Sequence, residues 1–104
     1  MARTVRWTEA ATSDLAAAAE FIARDSAYYA SALVREARTA ALSLSYFADR
    51  GRRVPEGNDP AIRELFLKNY RLIYQVTPHA VFILAFIHGA RDLAGLWKQE
   101  GKPY

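Results

Sequence analysis

The sequence predicts an α+β domain in which a hairpin of two helices packs on a small antiparallel sheet. Three observations support this prediction. Apolar residues recur at helical spacing over residues 8–46, three runs with strand character follow one another over residues 61–88, and a similar short run, RTVRW, occupies residues 3–7. Short turns between consecutive strands favour an antiparallel meander. The predicted order is therefore β-α-α-β-β-β with a short C-terminal helix.

The first half of the chain carries one strand and both predicted helices. Val5 and Trp7 alternate with polar residues in the strand, and Thr8 can cap the helix that follows. The apolar stripe of the first helix is Ala11, Leu15, Ala18 and Ile22. Residues 24–26, RDS, interrupt the pattern, and Ser26 can cap a second helix over about residues 27–46. Its stripe is Ala30, Leu33, Ala37, Ala40 and Leu44. Two amphipathic helices with so short a break between them predict an antiparallel pair.

The second half begins with a loop, DRGRRVPEGNDP, at residues 49–60. Its glycines and prolines are typical of irregular structure. The three predicted strands are AIRELFLKN, YRLIYQV and VFILAFIH, and Pro78 lies in the turn before the last of them, where proline is tolerated. The final segment, RDLAGLWKQEGKPY, is predicted to form a short helix and a tail, although Gly95 is unfavourable in a helix.

Length and composition limit the possible functions. A chain of 104 residues suits one domain, 1–104, and its net charge of +3 is too small to indicate nucleic-acid binding by itself. The absence of cysteine excludes disulfides and thiolate chemistry. No apolar run approaches the ~20 residues of a membrane span, and the N-terminus lacks an apolar signal region, so we expect a cytoplasmic protein. The spacing of His79 and His88 offers no metal site, and we expect no cofactor.

Cationic side chains are the main candidates for a functional site. They are Arg52 and Arg53 in the loop, Arg63 and Arg71 on successive strands, and His88 and Arg91 after the last strand. Such a cluster could bind RNA phosphates, stabilise charge in phosphodiester cleavage or hold an acidic partner. The alternative, which composition and spacing alone favour, is that each arginine is a solvated strand residue or pairs locally with Glu56, Glu64 or Asp92. His88 could act as a general acid or base, or bond a backbone group at the strand end.

Several stretches together resemble the RelE/ParE superfamily of type II toxin–antitoxin toxins. They are VRWTEAATSDLAAAAEFIARDS from residue 5, Ala30, GRRVPE at 51–56, IREL at 62–65, YRLIYQV at 70–76 and HGARDL at 88–93. They occur in the order and at the separations of the family and cover nearly the whole chain. The resemblance implies the fold predicted above, a helical hairpin on a small antiparallel sheet.

The superfamily has two branches with different activities. RelE-like members are ribosome-dependent mRNA endonucleases, whereas ParE-like members are associated with inhibition of DNA gyrase. HGARDL and GR-x-VPE look more like the ParE-like branch. Arg71 and Arg91 also match the nucleases, but Trp97 falls where a nuclease often carries a catalytic tyrosine, and tryptophan has no hydroxyl group. The lysine-rich middle segment of the nucleases is reduced here to Arg52, Arg53 and Lys68.

The resemblance implies a toxin that inhibits DNA gyrase and forms a hetero-oligomer with a small antitoxin protein. The candidate target-binding residues are Arg53, Arg63, Arg71, His88 and Arg91. The candidate antitoxin-binding residues, beside the helical hairpin and the sheet, are Leu15, Ile22, Leu33 and Trp97. The alternative is an mRNA endonuclease acting on the ribosome, in which Arg71 and Arg91 stabilise the phosphate and His88 moves a proton. A third possibility is a chain that keeps the fold and the antitoxin but has lost toxicity.

Overall fold

The computed structural model describes residues 2–91 and 93–101. Its elements are β1 (Thr4–Trp7), α1 (Glu9–Ala23), α2 (Ala27–Ser43), β2 (Arg52–Arg53), β3 (Ile62–Leu67), β4 (Tyr70–Val76), β5 (Ala80–His88) and α3 (Leu93–Glu100). The α+β class and the predicted order are confirmed, with the two-residue strand β2 added inside the predicted loop. Within the described ranges, no helix combines the length and apolar character that a bilayer span requires.

The five strands form one sheet in the order β1-β5-β4-β3-β2. Strands β3 to β5 are antiparallel neighbours, as predicted, and the unpredicted β2 is antiparallel to β3. Strand β1, however, runs parallel to β5, with Thr4 opposite Ala80. The expectation of a wholly antiparallel sheet is therefore wrong for this one pair. A tight turn forces antiparallel pairing, but both helices and the meander separate β1 from β5, so no turn constrains their direction.

Side-chain caps fix the beginnings of both long helices, as the sequence predicts. The Thr8 hydroxyl oxygen accepts a hydrogen bond from the Ala11 N–H at 3.1 Å, and the Ser26 hydroxyl oxygen accepts one from Tyr29 at 3.2 Å. Helix α2 ends at Ser43, three residues before the predicted end. There the Leu44 N–H donates to the Ala41 carbonyl at 3.1 Å, an i to i−3 bond that tightens the last turn.

Both faces of the sheet are covered. The helical face packs against α1 and α2 and forms the main core; its buried sheet residues are Leu65, Leu72, Tyr74, Val81, Ile83 and Phe86. The opposite face carries Ile62, Ile73, Ala85 and Ile87, covered by Val54 of the loop and by Leu93 and Trp97 of α3. The loop and α3 are thus parts of the second core, which places the GRRVPE and HGARDL segments at the margins of one sheet face.

A bulge in β5 changes which residues point to each face. Ile73 pairs with Ala85 but Tyr74 pairs with Ile83, so Leu84 is an extra residue. Beyond Ile83 the outer edge of β5 is not paired with β1. There the Asp14 carboxylate of α1 accepts the Phe86 N–H at 3.0 Å. Burial raises the pKa of Asp14, and this backbone bond opposes the rise.

Candidate functional site

Arg71, a central candidate of the sequence analysis, is buried in an ion-pair network. Its Nε donates to Glu64 Oε1 at 2.6 Å, and its Nη1 and Nη2 each donate to one oxygen of Glu56 at 2.8 Å. The Arg71 side chain is 5% exposed and that of Glu64 is 0% exposed. The contact with Glu56 is the bidentate arrangement that gives arginine–carboxylate pairs their strength. Local pairing, one of the two interpretations from sequence, is therefore confirmed for Arg71.

Arg52 completes the network. Its Nε donates to the second oxygen of Glu64 at 2.6 Å, and its guanidinium lies over the Phe66 ring, 4.8 Å from the centroid. The buried Glu64 carboxylate thus has a cation on each oxygen, which offsets much of the cost of removing its charge from water. The hydrogen bonds from Arg71 lower the pKa of Glu56. We call Arg52, Glu56, Glu64 and Arg71 the loop clamp, because they hold residues 52–56 against β3 and β4.

Gly51 and Tyr74 fix the start of the same loop from the helical face. The Tyr74 hydroxyl donates to the Ala48 carbonyl and accepts the Gly51 N–H, both at 2.8 Å. A Cβ at position 51 would lie 2.4 Å from the Glu64 carbonyl oxygen and 2.6 Å from Tyr74 Oη. Only glycine fits so close an approach. Burial raises the pKa of Tyr74, so the phenol keeps the proton that it donates.

The other loop and strand cations are more accessible. Arg63 lies on β3 with its side chain 26% exposed; its Nη1 donates to the Gly51 carbonyl at 2.8 Å, and its Nη2 is 3.9 Å from Asp49 Oδ1. Arg53 is exposed on β2, opposite Arg63 in the strand register. Arg63 is therefore partly engaged in holding the loop, whereas Arg53 presents its side chain to solvent.

His88 does not join Arg71 in one site, because their side chains lie on opposite faces of the sheet. Tyr70 pairs with His88, and Arg71 pairs with Ile87. The His88 ring meets the Tyr70 ring edge-on at 5.6 Å, and its Nδ1 accepts the Ala90 N–H at 3.2 Å. This hydrogen bond is the structural role considered for His88. Arg91 is exposed beyond the strand, and its possible partner Asp92 lies outside the described residues.

Three of the four candidate antitoxin-binding residues lie in the core. Leu15, Leu33 and Trp97 are 6%, 1% and 5% exposed, so they cannot form a docking surface directly. Ile22 is half-buried against the main core. The apolar stripes identified residues that hold the hairpin to the sheet, and a helical stripe does not separate core contacts from partner contacts. Trp97 packs on Ile73 and Ile87 in the second core.

One accessible apolar surface lies instead between the two helices near the tip of the hairpin. A cavity of about 560 Å³ is lined by small residues, Ala19, Ala23, Ala27, Ala30, Ser31 and Val34, and by two side chains of opposite charge, Glu20 and Arg35. We call it the hairpin groove. Phe21, Tyr28 and Tyr29, in the same part of the hairpin, are 63%, 72% and 60% exposed. The sequence does not reveal this surface, because alanine carries little hydrophobic signal.

Comparison with known proteins identifies the family. The sequence-family model described as the ParE toxin of the type II toxin–antitoxin system, parDE, matches residues 5–93. The chain belongs to the ParE toxin family. A solved structure described as the chromosomal ParDE TA system from P. aeruginosa has the same fold, with a TM-score of 0.68 and 21% sequence identity over 83% of this chain and 95% of that one. No curated protein matches the sequence significantly.

For this ParE-family toxin, the expected ParE-like branch is confirmed. The structure also gives a physical account of the GRRVPE segment. Its glycine permits the contact with Tyr74 and Glu64, and its first arginine and its glutamate belong to the loop clamp. In the parts of the chain that the structure describes, no group of three or more histidine, aspartate or glutamate side chains is arranged to hold a metal ion.

Proposed function

We propose that this toxin inhibits DNA gyrase and is neutralised by a cognate antitoxin that occupies the hairpin groove. The family match over residues 5–93 is the observation that carries the proposal. The loop clamp supports it further. Arg71, a candidate for stabilising a phosphate in the nuclease alternative, is buried and bound to Glu56 and Glu64.

The mRNA-endonuclease alternative is less well supported by the geometry. Stabilising a phosphate in cleavage requires a cation that reaches the reacting oxygens, but Arg71 is committed to Glu56 and Glu64. His88 is exposed on the other sheet face, and Trp97 is buried without a hydroxyl group. Of the two arginines expected to hold the phosphate, only the exposed Arg91 remains near His88, where its N–H donates to the His88 carbonyl at 3.0 Å.

The hairpin groove suits the apolar face of an antitoxin helix. Its small residues let a second backbone approach closely, and Glu20 and Arg35 at its margin cancel in charge. The exposed rings of Phe21, Tyr28 and Tyr29 resemble the aromatic residues that dominate protein interfaces. Exposed apolar surface of this extent on a small domain commonly marks an interaction site.

The proposal is tested by adding purified toxin to DNA gyrase and following the negative supercoiling of relaxed plasmid. We expect supercoiling to fall with toxin concentration and to recover when antitoxin is added. Gyrase that remains fully active at toxin concentrations well above its own, while induction of the same toxin arrests growth, would contradict the proposal.

The antitoxin site is tested separately by Ala27→Arg, which fills the groove. We expect antitoxin binding to weaken by at least ~10-fold, because an interface core tolerates no unpaired charge. The matched control is Ala17→Arg, at an exposed position of α1 that does not line the groove. Equal antitoxin affinity of the two variants would exclude the hairpin groove as the site.

A further inference from the structure

A second groove lies between α2, the turn after it and the outer edge of β3. Two adjoining cavities of about 580 and 430 Å³ meet at Arg50, which lines both. Two aromatic side chains line the smaller cavity, with Tyr46 73% and Phe47 67% exposed, and residue Phe66 borders the larger cavity at the strand edge. We call this surface the Arg50 groove. Rings of this size cost free energy in water, so their clustering beside a concave surface indicates a partner.

The charge of the Arg50 groove is positive. Arg3, Arg35 and Arg50 line it. The described hydrogen bonds of Arg3 and Arg50 go to neutral oxygens, the Thr77 carbonyl at 2.8 Å and the Ser43 hydroxyl at 2.7 Å. Its carboxylates, in contrast, already have cations beside them. Glu36 is 3.4 Å from Lys68, and Asp49 is 3.9 Å from Arg63. The groove therefore offers guanidinium groups to acidic side chains.

The apolar lining of the groove and the strand edge beside it favour a protein segment over a nucleic acid. Part of its surface is aliphatic, with Ala40 and Leu67 among the lining residues. Strand β2 pairs with β3 only at Arg63 and Glu64, so the outer edge of β3 at residues 65–67 borders the groove without pairing to β2. An apolar surface beside a strand edge and between cations fits a chain that carries both apolar and acidic side chains.

The two grooves meet at one residue, because Arg35 lines both. Their chemistry differs: the hairpin groove is nearly neutral and built of small residues, whereas the Arg50 groove is cationic and aromatic. We propose that the Arg50 groove docks an acidic, apolar segment of the protein that the toxin attacks. An antitoxin in the hairpin groove would then compete with that segment at Arg35. This inference rests on the proposed function, with gyrase as the target.

The experiment measures the binding of purified toxin variants to immobilised DNA gyrase and to antitoxin, together with growth arrest after induction. Arg50→Glu reverses the central charge, and Tyr46→Ala removes one exposed ring. Lys98→Glu is the control, because it makes the same charge change at an exposed position of α3 outside both grooves. Thermal unfolding of each variant verifies the fold.

We expect Arg50→Glu to weaken gyrase binding by at least ~10-fold and Tyr46→Ala by several-fold, as hot-spot substitutions do. Both should arrest growth less and bind antitoxin normally, and Lys98→Glu should match the wild type. The wild-type toxin–antitoxin complex should not bind gyrase. Unchanged gyrase binding and growth arrest in both groove variants would overturn the inference. So would normal gyrase binding with loss of antitoxin binding, which would assign the groove to the antitoxin.

Two further outcomes separate this inference from the proposed function. If the wild type arrests growth without binding gyrase, the gyrase proposal fails, and the groove is judged by growth alone. Loss of arrest in Arg50→Glu then supports docking of another target, and full arrest overturns it.

A fluorescent single-stranded 20-mer oligonucleotide provides the last comparison. Tight binding of this probe by wild type, abolished by Arg50→Glu, would overturn the inference in favour of a nucleic acid.

Discussion

Four charged side chains make the loop after α2 a fixed part of the molecule. Arg71 and Glu64 are buried, and Glu56 and Arg52 each add a contact from the loop side. A buried ion pair gives little net stability over an apolar replacement, but removing one partner leaves an uncompensated charge in the interior. Arg71 thus has a structural role, and its substitution would affect toxicity through the fold.

Arg71→Ala should lower the free energy of unfolding by about 3–5 kcal/mol, because Glu64 would lose its inner partner. Arg53→Ala, at an exposed neighbouring position, should change it by less than ~0.5 kcal/mol. Urea titration followed by circular dichroism measures both. An Arg71→Ala variant as stable as wild type but devoid of toxicity would contradict the structural role and restore Arg71 as a target contact.

The loop clamp also predicts that the free energy of unfolding falls at acidic pH. Hydrogen bonds from Arg71 lower the folded-state pKa of Glu56 from its usual 4.5. A carboxyl group whose pKa is lower in the folded than in the unfolded state stabilises the fold at pH values above its unfolded-state pKa. This contribution is lost as the pH falls through the folded-state pKa. Glu56→Gln should therefore cost about 1–2 kcal/mol at pH 7, with the difference from wild type shrinking below about pH 4.5. Urea titrations at pH 3 to 7 test this; a constant difference would contradict it.

At the scale of elements, the two helix caps have different consequences. Ser26 caps α2 at an exposed bond. Thr8 caps α1 and, through its own hydroxyl proton, also donates to the Ile83 carbonyl at 2.9 Å. Thr8 thereby joins the end of β1, the start of α1 and the point where β5 loses its β1 neighbour.

Thr8→Ala should destabilise the fold by about 1.5–3 kcal/mol, because it removes a helix cap and a side-chain hydrogen bond to β5. Ser26→Ala should cost only about 0.5–1 kcal/mol. Thr8→Ser keeps both hydrogen bonds and should lie closest to wild type. Thermal unfolding of the three variants gives the ranking, and equal losses in Thr8→Ala and Ser26→Ala would show that the bond to Ile83 contributes nothing.

The elements predicted from sequence are those with strong local signals. Both helix caps were predicted correctly, and β3 to β5 begin and end within two residues of the predicted runs. The parallel pairing of β1 and the two-residue β2 were not predictable, because both depend on contacts with strands distant in the chain. For the same reason the sequence left two interpretations of Arg71, since Glu56 and Glu64 become its neighbours only when the loop folds back over the sheet.

At the scale of the whole molecule, the described part of the chain forms two apolar cores and leaves the hairpin groove and the Arg50 groove along α2. Both sheet faces are covered, one by the helical hairpin and the other by the loop and α3. The remaining exposed rings gather at the hairpin tip and around Arg50. We propose that the antitoxin occupies one of these grooves and the target the other. The adjacency of the two grooves at Arg35 offers a direct route from antitoxin binding to loss of target binding.

The most direct test of the central claim is pulse-labelling of DNA and protein synthesis within minutes of inducing this chain alone in a bacterial host. Because we propose gyrase as the target, we expect DNA synthesis to stop first while protein synthesis continues. If protein synthesis stops first and transcripts are cleaved, the gyrase account is contradicted, and His88→Ala becomes the variant to examine.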